Sequence, residues 1–273
     1  MRPFFISCAI AMALCPAAAY ASDGNAQGAT SSSLPQKDWT FSSSLSYETG
    51  DFGTNTTTNT VYIPLTLRRN FERWDAALTV PYIYQQSGPG VSALSGVPLR
   101  TGRSAAGIKQ KADGLGDILM TGRYRLTEQG ASAPFDLTGL GRIKFPSADE
   151  DKRLGTGEFD ETIGLEGAKA LNETWRLYAD LYYTFIGEPP GTDLDNEFAY
   201  DLGVGYAFTD QTTASVFYEG RTALVDDVDD PSALAFYVTH EPDDACDIFV
   251  GLRVGLSDGS PDTGVLAGGN VHF

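Results

Sequence analysis

The chain has 273 residues, with 19 Lys+Arg against 36 Asp+Glu and a formal net charge of −17. That balance excludes a nucleic-acid partner, which needs a basic footprint. Of the three cysteines, Cys8 and Cys15 lie in a segment expected to be removed, so the mature chain keeps Cys246 alone and has neither an internal disulfide nor a thiolate metal cluster.

Residues 1–21 read as an export signal: Arg2 is the positive start, Phe4 to Leu14 form a short apolar core, and Ala19-Tyr20-Ala21 places small residues for cleavage after Ala21. The apolar run is too short to anchor the chain across a bilayer. Loss of Arg2 leaves 18 Lys+Arg against 36 Asp+Glu, a net charge of −18. Residues 22–38 follow as a periplasmic N-terminal segment with a Ser-rich stretch at Ser31–Ser33. No later stretch is apolar for the length of a transmembrane helix, so a mature chain that enters a membrane does so as a closed barrel.

From Trp39 to Phe273 the dominant signal is period two. Trp39, Phe41, Leu45 and Tyr47 alternate with Thr40, Ser42, Ser44 and Ser46, and Trp74, Ala76, Leu78, Val80, Tyr82 and Tyr84 share a face further on. Similar runs cover 61–68, 116–126, 135–145, 159–169, 174–185, 198–208, 212–221, 233–240, 246–256 and 265–273. Together they predict an all-β fold, an up-and-down antiparallel transmembrane barrel of about twelve strands, each near the length a tilted strand needs to cross a bilayer. The run at 159–169 places Glu161 and Lys169 on its apolar face, and the phase of 233–240 is ambiguous. Short connections at Asn70–Arg73, Leu171–Thr174, Phe208–Gln211 and Glu241–Asp244, with a longer one at Thr127–Ala133, alternate with loops rich in Gly, Pro and acids. This fits short periplasmic turns, long external loops and both termini in the periplasm.

Three features point to a membrane barrel rather than a soluble one. Aromatics bracket aliphatics on the apolar faces, as Trp175, Tyr183 and Phe185 do around Leu177 to Leu181, which two interfacial girdles demand. The opposite faces carry charges in mid-strand, and a basic residue on a lipid face costs roughly 2–4 kcal/mol at mid-depth, so these charges line the interior. The chain ends in alternating small or apolar residues up to Phe273, which is similar to the signal outer-membrane proteins present to the barrel-assembly machinery. The expected surroundings are outer-membrane lipids and lipopolysaccharide of a Gram-negative bacterium.

The lumen is expected to hold Arg123, Arg125, Asp136, Arg142, Lys144, Asp160, Glu166, Arg176, Asp180, Asp201, Glu219 and Arg253 as a candidate constriction. Strand polarity places Arg125 opposite Asp136, Glu166 opposite Arg176, and Arg142 and Lys144 near Asp160; the simpler role of such pairs is to satisfy charge in a narrow barrel. Tyr62, Tyr178, Tyr182, Phe217, Tyr237 and Phe249 face the same way and either fill space or offer a path for small solutes. The 85–113 loop, with Val91, Leu94, Val97 and Leu99, is apolar enough to fold over the mouth as a lid. Asp226, Asp227, Asp229 and Asp230 either hold divalent cations near lipopolysaccharide or, the simpler reading, form a solvated run. Catalysis has little to stand on: only His240 and His272 are present, without a nearby Ser, and no cofactor is expected.

Several segments carry a resemblance. Ile63-Pro64-Leu65-Thr66-Leu67, Trp74-Asp75 and Val80-Pro81-Tyr82 are followed by Gly114-Leu115-Gly116-Asp117-Ile118 and Arg123-Tyr124-Arg125-Leu126, then Lys144-Phe145-Pro146 and Leu154-Gly155-Thr156-Gly157. In this order, over residues 40 to 273, they resemble the outer-membrane family "putative MetA-pathway of phenol degradation". The resemblance implies a barrel passing small, often aromatic, compounds. The expected function is a passive channel for such solutes; the alternatives are a closed structural or surface-binding barrel, a lipid-modifying enzyme and a soluble periplasmic β protein.

Overall fold

The computed structural model describes residues 37–87, 91–94, 97–101 and 110–273. The expected export signal, its expected cleavage point and residues 22–36 lie outside that range. Fifteen strands are present: β1 Trp39–Gly50, β2 Thr58–Asn70, β3 Trp74–Ser87, β4 Val91–Leu94, β5 Val97–Arg100, β6 Gln110–Leu115, β7 Ile118–Thr127, β8 Asp136–Phe145, β9 Asp160–Ala170, β10 Trp175–Phe185, β11 Glu197–Thr209, β12 Thr212–Arg221, β13 Ser232–Asp243, β14 Cys246–Gly255 and β15 Thr263–His272.

Neighbouring strands of the wall pair antiparallel, β3 with both β6 and β7, and β15 returns to β1 from Thr40↔His272 to Thr49↔Thr263, which closes the sheet. The strands β6 and β7 both pair with β3 and form one stave, so the wall has twelve staves. The interruption falls where Pro81 of β3 offers no N–H to its partner. There Gly116 N–H donates to Pro81 O at 2.9 Å, and a Cβ at Gly116 would lie 2.6 Å from Ile83 Cδ1, so any larger residue would displace the end of that buried side chain. The hairpin β4–β5 stands apart from the wall in the connection between β3 and β6.

The outside of the wall is apolar. Leu78, Met120, Leu165, Leu181, Leu202 and Val250 are exposed in mid-strand, while Trp74, Tyr124, Trp175 and Phe208 mark one rim and Tyr82, Tyr84, Tyr183 and Phe198 the other. The inward positions are polar: Ser42, Ser44 and Ser46 on β1 and Thr60, Thr66 and Arg68 on β2 are buried. Apolar outside and polar inside is the inverse of a soluble barrel, and the closed ladder leaves no unpaired edge; the chain is therefore a transmembrane barrel. The start of β1 and the end of β15 meet at the short-turn rim, where Trp39 and Phe273 exchange backbone hydrogen bonds of 2.9 Å.

The two uncertain runs are resolved. On β9, Glu161 and Lys169 point outward at the strand ends, flanking exposed Ile163 and Leu165. On β13, Ala233, Ala235, Tyr237 and Thr239 face inward, with Phe236 and Val238 outward.

Candidate functional site

The twelve charged residues expected in the lumen all occupy inward positions, joined there by Glu48, Arg68, Asp75, Glu197 and Arg221. Their pairing differs from strand-neighbour expectation. Asp136 takes Arg176 at 2.7 Å, not Arg125, and Glu166 takes Arg123 at 3.0 Å, not Arg176. Two features cause the exchange. A register shift between Arg125 and Thr127 sets Arg125 opposite Thr138, and long side chains cross a stave: Arg176 of β10 passes small Ala168 and Ala170 of β9 to reach β8. Lys144 meets Asp160 at 2.7 Å as expected, whereas Arg142 donates through Nε to Thr121 Oγ1 at 2.9 Å. Further round, Arg253 joins Glu48 at 3.1 Å to Glu219, and Arg221 meets Glu197 at 3.2 Å. Buried pairs of this kind fix geometry more than they add stability.

One group of carboxylates is aligned. Glu166, Asp180, Asp201 and Glu219 are direct cross-strand partners on β9 to β12. They are edged by five of the six inward aromatics, which lie against the wall. Tyr182 sits opposite Gly164, Phe217 opposite Gly203, Tyr237 opposite Gly251 and Phe249 opposite Gly268. At each glycine a Cβ would collide with the facing ring, 2.5 Å away at Gly164 and Gly268 and 2.7 Å at Gly251. Tyr178 completes the strip, its ring centroid 5.4 Å from that of Phe217. A side chain opposite would prop each ring into the bore; glycine lets it lie flat.

Tyr62, the sixth, belongs to a different cluster with Ile83 and Leu154 at the long-loop rim. Beside it sits a polar node that sequence reasoning passed over. Lys144 Nζ meets Asp160, Thr156 Oγ1 at 2.9 Å and Asp117 at 3.5 Å, and Asp117 Oδ1 accepts from the N–H groups of Ser147 and Ala148 at 3.0 and 2.9 Å. Gly155 lies against Asp117, where a Cβ would come within 2.5 Å of Oδ2. The segments around Pro81, Gly116-Asp117, Lys144 and Leu154 to Thr156, scattered in sequence, thus converge on one knot that ties the 146–159 connection inward. Their order along the chain, which carries the family resemblance, was the available signal.

The mouth at this rim is covered. Leu99 of the hairpin packs with Ile186 and Leu194 from the β10–β11 connection and Leu224 and Val225 from the β12–β13 connection. The hairpin leaves the barrel after the third stave, and Leu224 follows the ninth, half-way round a circle of twelve. Such a contact spans the opening. Arg100 Nη1 adds a bond of 3.1 Å to Phe52 O in the β1–β2 connection. Val91 is buried in the same hairpin, while the side chains of Leu94 and Val97 lie outside the described residues.

His240 meets the hydroxyl of Thr212 at 3.0 Å on the outer face, and His272 bridges Thr40 and Asp247 at 3.1 Å each. A lipid-modifying reading asks for a Ser or Asp within hydrogen-bond reach of His240, and among the described residues its hydrogen bond goes to Thr212.

The chain is similar in fold to an outer membrane channel from Pseudomonas putida F1 (12% identity, covering 88% of this chain and 97% of that one, TM-score 0.68). It is similar also to the NanC porin (9% identity, 85% and 99% covered, TM-score 0.56). No curated protein matches it. Residues 88–273 match the family model described as "Putative MetA-pathway of phenol degradation", which includes the Gly114–Ile118, Lys144–Pro146 and Leu154–Gly157 segments, and the chain belongs to that family.

Proposed function

We propose that this barrel is a passive outer-membrane channel for small hydrophobic or aromatic solutes. The observation that carries the reading is the strip of Tyr178, Tyr182, Phe217, Tyr237 and Phe249, each seated against the inner wall. Rings laid on glycines brace the wall of a barrel, and here five of them lie side by side facing the lumen. A solute path gains a smooth apolar surface from it. The lumen charges form the constriction beside that strip, and the loop cluster around Leu99 is its lid. The long loops face outward among lipopolysaccharide, the termini face the periplasm, and Phe273 serves insertion by the assembly machinery. No step in this role calls for a catalytic group.

A closed barrel acting through its loops is the second reading. It is favoured by the ion-paired inner wall, whose residues Asp201, Arg253 and Phe217 are almost fully buried, and by the covered mouth. Flux through purified protein in liposomes separates the two, comparing small uncharged aromatics with sugars and salts. Preferential aromatic flux supports the gated channel, and equal flux of all solutes makes it a general pore. No flux above empty liposomes from folded wild-type protein, and none from a variant with the Leu99 cluster broken, leaves the closed barrel.

A further inference from the structure

Like charges directly opposite one another on neighbouring strands oppose pairing, yet four carboxylates stand in line from Glu166 to Glu219. The ends of the line are answered by cations, Arg123 at Glu166 and Arg253 at Glu219. At the centre, Asp180 Oδ1 accepts the N–H of Gly167 at 3.1 Å. Asp201 is only 2% exposed, and its Oδ1 has no hydrogen-bond partner among the described residues. Its cross-strand partners on both sides, Asp180 and Glu219, are carboxylates, while Arg221 and Arg253 act on it through charge without a hydrogen bond to that oxygen. A buried acceptor left unmatched beside a second carboxylate is costly, and a cation placed between them removes the cost.

The surroundings say which kind of cation. Tyr182 donates its hydroxyl to Glu166 at 3.2 Å on the long-loop side of the row, and the rings of Tyr178 and Phe217 lie one inward position toward the short turns. Carboxylates accept N–H groups with charge assistance, and aromatic faces attract an organic cation. A divalent metal asks for a converging set of ligands, and among the described residues no such group occurs.

We infer that Asp180 and Asp201 bind the ammonium head of small organic cations, with the attached apolar or aromatic group against Tyr178 and Phe217. The site deepens the channel reading, on which the arrival of the solute rests, by assigning a charge class: organic cations over anions of equal size.

Binding and passage are measured separately. Benzylammonium, benzyl alcohol and benzoate are titrated by calorimetry into the full chain folded in detergent. Benzylammonium should bind best, and Asp201→Asn should weaken it by about tenfold or more, the loss of one charge-assisted partner. That variant removes a like charge from the row and should fold, which gel mobility before and after boiling reports; Asp180→Asn serves if it does not. Asp247→Asn, in the lumen at the short-turn rim, should leave the affinity unchanged. Absence of benzylammonium binding, equal binding of the three probes, or an affinity unmoved by the central Asp→Asn change overturns the site. The same probes in liposomes test the channel: passage of benzyl alcohol without benzylammonium binding sinks the site alone, and binding without any flux sinks the channel alone.

Discussion

The ring of Phe217 on β12 lies across Gly203, its direct partner on β11, so closely that a methyl group there would collide with three ring atoms. The relationship repeats at Tyr182 with Gly164, Tyr237 with Gly251 and Phe249 with Gly268. In each case the aromatic covers a backbone the glycine leaves bare, and the glycine lets the ring lie along the wall.

Gly203→Val should therefore push Phe217 into the bore. The expected result is a fall in solute flux together with a loss of about 1–3 kcal/mol in stability from overpacking. Gly141→Val on β8, where a Cβ meets nothing within 4 Å, is the matched control and should change neither. Wild-type flux and stability in Gly203→Val would show that the ring does not depend on the glycine.

Lys144→Met removes the cation that Asp117 and Asp160, both buried, share. Breaking a buried pair from one side typically costs about 3–5 kcal/mol. Denaturant unfolding of the folded barrel should record a loss in that range, and limited proteolysis should cut sooner within 146–159. A change within experimental error would mean that the knot carries no strain when opened.

Leu99→Asp places a charge in the cluster that spans the mouth. Single-channel recording should show a higher conductance or a longer open time than wild type. An unchanged trace would place the limiting constriction at the lumen charges and not at the loops.

Leu202→Arg tests the outer face. Leu202 is exposed in mid-strand on β11, and a basic residue at mid-depth against lipid costs roughly 2–4 kcal/mol. Folding into lipid vesicles should be weakened by that order. Full stability would contradict a lipid-facing wall.

Much of this architecture is written locally. A strand with Leu181 on one face and Asp180 on the other specifies its own orientation as soon as it meets a membrane, because side chains alternate with period two. The inward residues, the aromatic rims and the two kinds of connection follow from runs of about ten residues. Even the ambiguous β13 needed only its neighbours' register to settle.

Other features have no local signature. Nothing adjacent in sequence to Gly203 or Gly205 marks the ring that faces it. Asp117 meets Lys144 and the N–H groups of Ser147 and Ala148, some thirty residues on. The exchange of partners among Arg123, Arg176, Asp136 and Glu166 depended on one register shift and on small residues in the stave between.

The sequence by itself determined that this chain is a closed transmembrane barrel with a polar, aromatic-bearing lumen, because alternation is a property of each strand alone. Only the tertiary structure decided which charges pair, which carboxylates line up, and that the hairpin reaches the far wall. Those depend on register and on the closure of β15 against β1, which bring together residues that no short stretch of sequence relates.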